Sequence, residues 1–322
     1  MIQAIRLGGT ERMMVFAFSD PGLPGPARAA RERILLGMGV RGAAGAVTRR
    51  SLTFAPVLTW DSNINGGYGN SGFTFAGLPF SIDDRYYAVG GVLIGGSLSG
   101  ALRMALGGQT GLAFAANASA AWAPEHDMGK LSSGVSACVN HMVSYATWGY
   151  GCLDASWRRI DLGETGRYGA RAGVNHAFFS GVGIHEVTVE VQHNRHDAGR
   201  VYDQNVGSVS LTSALSGGYA FAVGIHIAEK IDRVNVMRER IWIGAGFGLL
   251  EHPASIMIGT QRNRGGSFLG EGLDKRIWSV GLSYQVSETI SVSAYGAKTY
   301  SNVAFYDDSQ FGLSFDWRFR VR

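Results

Sequence analysis

The end of the chain, Gln310 to Val321, alternates strictly between apolar and polar side chains. Neighbouring side chains of a β-strand point to opposite faces, so the stretch predicts a strand with one aromatic face and one polar face. Such a strand at the end of a chain of similar strands is typical of the strand that closes an outer-membrane barrel. The apolar face would carry Phe311, Leu313, Phe315, Trp317, Phe319 and Val321, and the polar face Gly312, Ser314, Asp316, Arg318 and Arg320.

Composition favours strands and tight turns over helices. The chain has 322 residues with 47 Gly, 7 Pro and 17% charged residues, where an average soluble domain has roughly 25% charged residues. No apolar run approaches the roughly 18 residues that a membrane helix needs. If this chain crosses a membrane, it therefore crosses as strands.

Roughly fourteen segments of period two follow one another from Ser51 onward, and short and long links take turns between them. Bacterial outer-membrane barrels sort their links in this way, and a sheet in lipid must close to pair its backbone groups. The pattern predicts an all-β transmembrane antiparallel barrel over residues 51–322; a large soluble β-sandwich is the other possibility. Tight links are expected at Ser180-Gly181, Gly217-Gly218, His252-Pro253 and Ser287-Glu288, and longer ones at Ala123–Gly129, Asp161–Gly166, Asp197–Asp203, Asp232–Met237, Asn263–Asp274 and Ser301–Asp308.

The two faces of these segments differ in chemistry. One face places aromatic residues near strand ends, as interfacial girdles do, and the other is polar enough for a wet lumen. The predicted outward residues are Tyr168, Phe178, Tyr219, Trp278, Tyr284 and Trp317, and the predicted lumen residues are Arg171, Asn175, Glu190, Gln285 and Asp316.

Residues 1–50 form a separate segment. Pro26 to Arg41 has helical spacing and predicts a short helix, while the apolar stretch Met13 to Phe18 is shorter than the 7 to 15 residues of a secretory signal core. An outer-membrane protein must be exported, so a different start or a trimmed precursor is expected. The net charge of +4 does not predict nucleic-acid binding, because the basic residues are scattered and not interleaved with stacking aromatics.

Two stretches resemble one family, the Slam proteins, which are surface lipoprotein assembly modifiers. The opening of their barrel is similar to Ala55-Pro56, Asp61 to Asn65 and Phe75 to Asp84, and their C-terminal end is similar to Tyr300 to Asp308 with the closing strand. The resemblance implies a barrel of about fourteen strands that delivers surface lipoproteins or related client proteins to the cell exterior. Family members carry a periplasmic tetratricopeptide-repeat domain, of which Pro26 to Arg41 would be the last helix.

The closing strand also resembles the signal that the barrel assembly machinery recognises. Gln310, Gly312, Phe315 and Trp317 fit the order polar, Gly, aromatic, aromatic, although the chain continues to Arg322. The expected partners are therefore outer-membrane lipid, the barrel assembly machinery and a client protein. Protein export is the leading functional prediction, by way of a seam between the first and last strands, with a passive porin-like channel for small solutes as the alternative. No cofactor is expected.

The two cysteines leave two interpretations open, a pair of buried free thiols and a disulfide in the lumen. Cys138 shares a face with Ser136 and Asn140, and Cys152 shares one with Asp154. If the turn between their strands centres near Tyr145, the two cysteines lie opposite each other, and an oxidising periplasm permits the bond. Two buried free thiols are the alternative.

Two polar clusters are candidate sites. His193, Arg195, His196 and Asp197 form the densest titratable cluster, but no motif supplies a nucleophilic Ser, and spacing i, i+3 puts the two histidines on opposite faces of a strand. A solvated loop is the preferred interpretation, and neither a catalytic nor a metal site is predicted. Asp61, Asn63 and Asn65 either end the first strand through side-chain turns or belong to a loop that constricts the lumen or contacts a client.

Overall fold

The structure, a computed structural model, describes residues 7–317 and 319–321. It is a closed antiparallel barrel of 14 strands, as predicted, with two short helices before it and a small hairpin beside it. The helices are α1 (Glu11–Ala17) and α2 (Gly25–Gly37), and the strands are β1 (Val47–Asp61), β2 (Gly72–Phe75), β3 (Leu78–Ser81), β4 (Gly91–Gly107), β5 (Thr110–Ala123), β6 (Met128–Met142), β7 (Thr147–Ile160), β8 (Gly163–Ser180), β9 (Gly183–Asp197), β10 (Val201–Leu215), β11 (Ala220–Ala228), β12 (Val236–Leu249), β13 (His252–Phe268), β14 (Glu271–Gln285), β15 (Ile290–Ser301), β16 (Asp308–Trp317) and β17 (Phe319–Val321).

The barrel closes where β1 meets the end of the chain. Leu58 is registered with Phe315 on β16, and Thr53 is registered with Arg320 on β17, so β17 continues β16 along the same neighbour. The closing role predicted for the alternating final segment is thereby confirmed. Strand β1 begins at Val47, slightly before the predicted Ser51. Arg318 and Arg322, which the sequence analysis placed in the closing segment, lie outside the described residues.

Side chains alternate between an exposed apolar outside and a polar inside. Leu153 and Val191 are 67% and 62% exposed, whereas their inward neighbours Asp154 and Gln192 make polar contacts across the lumen side. The predicted outward residues Tyr168 and Trp278 are also exposed. This sorting is what a sheet between lipid and a wet lumen requires.

The two ends of the barrel carry different links. Both ends of the barrel chain, Val47 and Val321, lie at one end, here the proximal rim, whose links are short, such as Gly181-Val182. The opposite end, the distal rim, carries the segment 62–90 between β1 and β4. Because outer-membrane barrels keep short turns in the periplasm, the proximal rim is the periplasmic one.

Two of the expected long links are in fact tight hairpins. Residues Asn263–Asp274 continue β13 and β14 to a turn at Leu269-Gly270, and the turn between β7 and β8 is Asp161-Leu162. Leu269 and Gly270 both have positive φ, of 50° and 91°, as a two-residue hairpin turn requires. The sequence predicted long links here because the strand ends are hydrophilic and resemble loops. In the structure Arg262 and Asp274 form an ion pair across the β13–β14 ladder at the rim.

The N-terminal segment lies inside the barrel. The predicted helix at Pro26–Arg41 corresponds to α2, and the short apolar stretch after Thr10 forms α1, where the Thr10 side chain accepts a hydrogen bond from the N–H of Met13. None of the helices in the described part of the chain is long and apolar enough to span a membrane. The segment packs against inward-facing strand residues, so it lines the lumen and does not form a domain beside the barrel.

Gly312 allows the inward-facing Tyr295 ring to lie across the closing strand. A Cβ at Gly312 would be within 2.1 Å of the Tyr295 ring. Gly312→Ala should therefore destabilise the barrel by about 1–3 kcal/mol, measured by urea unfolding followed by circular dichroism. Adding Tyr295→Ala to the same chain should recover part of this loss.

The matched control is Gly281→Ala, because Gly281 is inward-facing on β14 and has no atom within 4 Å of a built Cβ. Equal losses for Gly312→Ala and Gly281→Ala, or no recovery in the double variant, would contradict this account of Gly312.

Candidate functional site

The inner belt, residues 7–46, crosses the lumen near the proximal rim and approaches the wall through glycines. A Cβ at Gly246 on β12 would lie 2.8 Å from the carbonyl oxygen of Leu7, and one at Gly111 on β5 would lie 2.8 Å from that of Met38. The belt joins the wall again where the N–H of Gly45 donates to the carbonyl of Ala105. These contacts carry the belt around the lumen from β12 to β4.

Buried charge fixes the middle of the belt. The Arg12 guanidinium donates to both carboxylate oxygens of Glu186, at 3.0 and 2.9 Å, and the Thr10 hydroxyl donates to the same carboxylate. Glu186 is only 3% exposed, so its charge depends on these partners. Glu11 accepts further ion pairs from Arg49 and Arg103. The anchor is therefore bidentate and directional at Glu186.

Apolar contacts complete the docking of the belt. Met13 is fully buried against Ile184 and Ala214, which lie at the proximal ends of β9 and β10. Leu35 of α2 packs in a second cluster with Trp148, which is 2% exposed. Both clusters lie on the β6–β10 side of the lumen. The belt is consequently held on that side of the barrel.

The opposite wall stays open beside the belt. Two adjoining cavities of about 420 and 200 Å³ share Leu7, Ser255 and Ser283 in their linings. The larger extends across β11–β16, and the smaller leads to the proximal rim at Ser287-Glu288. Among the described residues, the two cavities adjoin along β13–β16 beside the belt and lead to the proximal rim.

The β7–β9 wall holds one arginine between two carboxylates in the middle of the barrel. Arg171 donates to Asp154 at 2.8 Å and to Glu190 at 3.1 Å, and the Tyr150 hydroxyl donates to Glu190 at 2.6 Å. Cys138 on β6 is registered with Cys152 on β7, and Cys152 is registered with Arg171 on β8. A disulfide with an S–S distance of 2.15 Å joins the two cysteines. The predicted lumen position of both cysteines is thus the observed one.

Asp61, Asn63 and Asn65 lie together at the distal mouth. Asp61 forms an ion pair with Lys130 across the lumen side, and Lys130 also donates to the carbonyl of Asn63. The Asn63 oxygen accepts from the N–H groups of Gly66 and Gly67, and fully buried Asn65 donates to the carbonyl of Tyr87. These bonds fold the segment 62–90 inward. The side-chain turn bonds of the first interpretation are present, and a role of this loop in constricting the lumen or contacting a client stays a prediction.

An aromatic cluster fixes the other end of this segment to the distal rim. Tyr68 and Phe73 contact Phe305, with ring centroids 4.9 and 5.4 Å apart, and Phe73 also contacts Phe268 at 5.0 Å. Lys275 lies 3.7 Å from the centroid of the Tyr306 ring. Burial in this cluster raises the pKa of the Tyr306 phenol, with the nearby Tyr68 adding to the effect. The segment thus spans part of the distal mouth.

The remaining sequence-predicted residues are dispersed. Gln310 and Gly312 face the lumen, while Phe315 and Trp317 face outward with their rings 6.3 Å apart. His193 points outward and bonds Asn205, whereas His196 points inward and stacks on Tyr202. Within the described residues no group of three metal-ligating side chains occurs. The histidine cluster is therefore split between two faces.

Sequence reasoning missed the belt anchors. Arg12 and Glu186 are 174 residues apart, and no spacing links them. The available signals were local: Thr10 is a suitable helix N-cap, and Glu186 is an isolated acid at the rim end of a lumen face.

The fold is similar to solved outer-membrane proteins of Pseudomonas aeruginosa. OccK11 (OpdR) has a TM-score of 0.46 and 12% identity over 87% of this chain and 98% of that chain. The outer membrane protein opdK has a TM-score of 0.46 and 8% identity over 86% of this chain and 100% of that chain. Identities this low show a likeness of fold alone. No family model matches the chain, and a search of curated proteins finds no significant match.

The prediction that this barrel exports surface lipoproteins is wrong. The inner belt and the segment 62–90 obstruct the lumen at its two mouths and leave cavities of about 420 and 200 Å³ beside the belt. Spaces of this order accommodate small molecules and not a folded client. The resemblance to Slam proteins stays a prediction from two short stretches. The closed barrel with an apolar exterior is the predicted fold and the one that outer-membrane proteins use.

Removing Arg12 should release the belt. Arg12→Ala leaves Glu186 buried without its cationic partner, at a cost of about 3–5 kcal/mol. Trypsin should then cleave the reconstituted protein faster at Arg28 and Arg33 of α2, read by mass spectrometry, while the barrel stays folded. Arg49→Ala is the control, because its pair with Glu11 is exposed and worth about 0–1 kcal/mol. Unchanged cleavage in Arg12→Ala would show that the ion pair does not hold the belt.

Proposed function

We propose that the chain forms a passive porin-like channel for small solutes in the outer membrane. The observation that carries the proposal is the continuous space beside the belt, along β13–β16, which opens at the proximal rim. A closed sheet satisfies its own backbone groups in lipid, so the lumen is free to hold water and solute. The inner belt narrows that lumen without filling it.

The arrangement of fixed parts supports a size limit. The belt lies so close to the wall at Gly246 that a Cβ there would be 2.8 Å from the carbonyl oxygen of Leu7. Asp61, Asn63 and Asn65 hold the segment 62–90 in the distal mouth. Solutes passing between these two obstructions must be small. Recognition of Gln310, Gly312, Phe315 and Trp317 by the barrel assembly machinery, and contact of the outward face with outer-membrane lipid, remain predictions.

Liposome swelling tests this function. Purified protein in liposomes should admit neutral sugars and glycols up to a size limit and exclude larger oligosaccharides, because the belt narrows the proximal end. Arg12→Ala should raise the size limit, since a released belt widens the lumen, and Arg49→Ala should leave it unchanged. Swelling no faster than in protein-free liposomes for every solute would refute the channel.

A further inference from the structure

A row of hydroxyl groups crosses the open wall and begins at the level of the belt. Ser255 on β13 is registered with Ser283 on β14, Ser283 with Ser293 on β15, and Ser293 with Ser314 on β16. Thr59 on β1 is registered with Ser314 and extends the row. Residues in register across neighbouring strands point to the same face, so five hydroxyls face the lumen side by side.

The hydroxyl row begins beside the first described residues of the belt. Ser255 is registered with Gly246 on β12, whose backbone is approached by the Leu7 carbonyl. The larger cavity is bounded at this level by Leu7 and Gly8 on one side and by the row on the other, with Tyr295 beside it. A solute that passes the belt must therefore pass along the row.

The row carries no charge at Ser255, Ser283 and Ser293, and the carboxylates of Asp61 and Asp316 flank its other end at Thr59 and Ser314. Ser283 and Ser293 bond each other at 3.3 Å, and Gln285 continues the neutral lining toward the rim. Two charges of the belt are occupied in ion pairs, Arg12 with Glu186 on β9 and Glu11 with Arg103 on β4. An ion entering here loses water without gaining a counter-charge, which costs far more than moving a neutral hydroxyl between hydrogen-bond partners.

Charges at the two ends act against ions of either sign. The distal half of the lumen carries Arg158, Arg167 and Arg240, and none of the ion pairs found among residues 7–317 involves them. The proximal end of the open wall carries Glu288 and Asp316. Cations are repelled at the first end and anions at the second, whereas a neutral solute meets neither barrier.

From these observations we infer that the channel is selective for small neutral, hydroxyl-rich solutes of the sugar and sugar-alcohol class. The inference rests on the proposed channel function and adds the solute class. The row supplies donors and acceptors at successive strands, at a spacing of roughly 5 Å, and Tyr295 supplies an apolar ring face. A polyol can thus exchange its water for wall hydroxyls one group at a time.

Three open-chain solutes of nearly equal size test the inference: sorbitol, gluconate and N-methylglucamine are neutral, anionic and cationic. Each is measured by isotope exchange at equal inside and outside concentration in proteoliposomes, so that no net charge moves. Sorbitol should exchange at least ~10-fold faster than either ion. Gluconate or N-methylglucamine exchanging as fast as sorbitol would overturn the solute class while leaving the channel intact. No exchange of any solute above protein-free liposomes would instead refute the channel itself.

A charge placed in the row should reverse the preference. Ser283→Arg should raise gluconate exchange relative to sorbitol by about 10-fold or more. The control is Gly181→Arg, which adds the same charge at the proximal rim in the β8–β9 turn, where a built Cβ meets no atom within 4 Å. An equal shift in both variants would show that the row does not set the preference. The wild-type comparison needs no variant, so it decides the solute class even if Ser283→Arg fails to fold.

Discussion

The requirement that every backbone group in lipid be paired determines the rest of this structure. It makes the sheet close, and closure joins β1 to β16 and β17 at a defined register. Once that register is set, side-chain direction is fixed along every strand, because a shift of one residue would exchange the two faces. Val191 is therefore exposed outside, and Arg171 and Glu190 are brought together inside.

Closure leaves a lumen that the strands alone do not fill, and the inner belt occupies part of it. The barrel is held by continuous ladders, whereas the belt is held by the Glu186 anchor, two apolar clusters and close approach at a few glycines. Elements with few hydrogen bonds to the rest of a protein open at lower free energy than its ladders. The part that limits passage is thus also the part that can move without unfolding the barrel.

Sequence alone predicted the elements that depend on local periodicity. The two-residue period of a strand placed Cys138 and Cys152 on the lumen face. The same period, unbroken in the final segment, predicted that this segment closes the barrel. The belt anchor joins Arg12 to Glu186, a contact that no local pattern encodes. The links at Asn263–Asp274 were misjudged because polar residues occur both in loops and in the paired ends of strands that leave the membrane. The export prediction was wrong for a related reason: the lumen's contents depend on how the first residues pack, which periodicity does not report.

The hydroxyl row shows how a candidate site can be encoded without a motif. Ser255, Ser283, Ser293 and Ser314 are dispersed along the chain, and they come into line only because each hairpin has a fixed register. If one residue were inserted into the β13–β14 turn at Leu269-Gly270, the two strands could keep the same residues facing the lumen only if a β-bulge absorbed the extra residue. Turn length at the rims therefore determines which side chains line the wall many residues away. The two-residue turn at Leu269-Gly270, in a link that the sequence predicted to be long, helps to align the hydroxyl row.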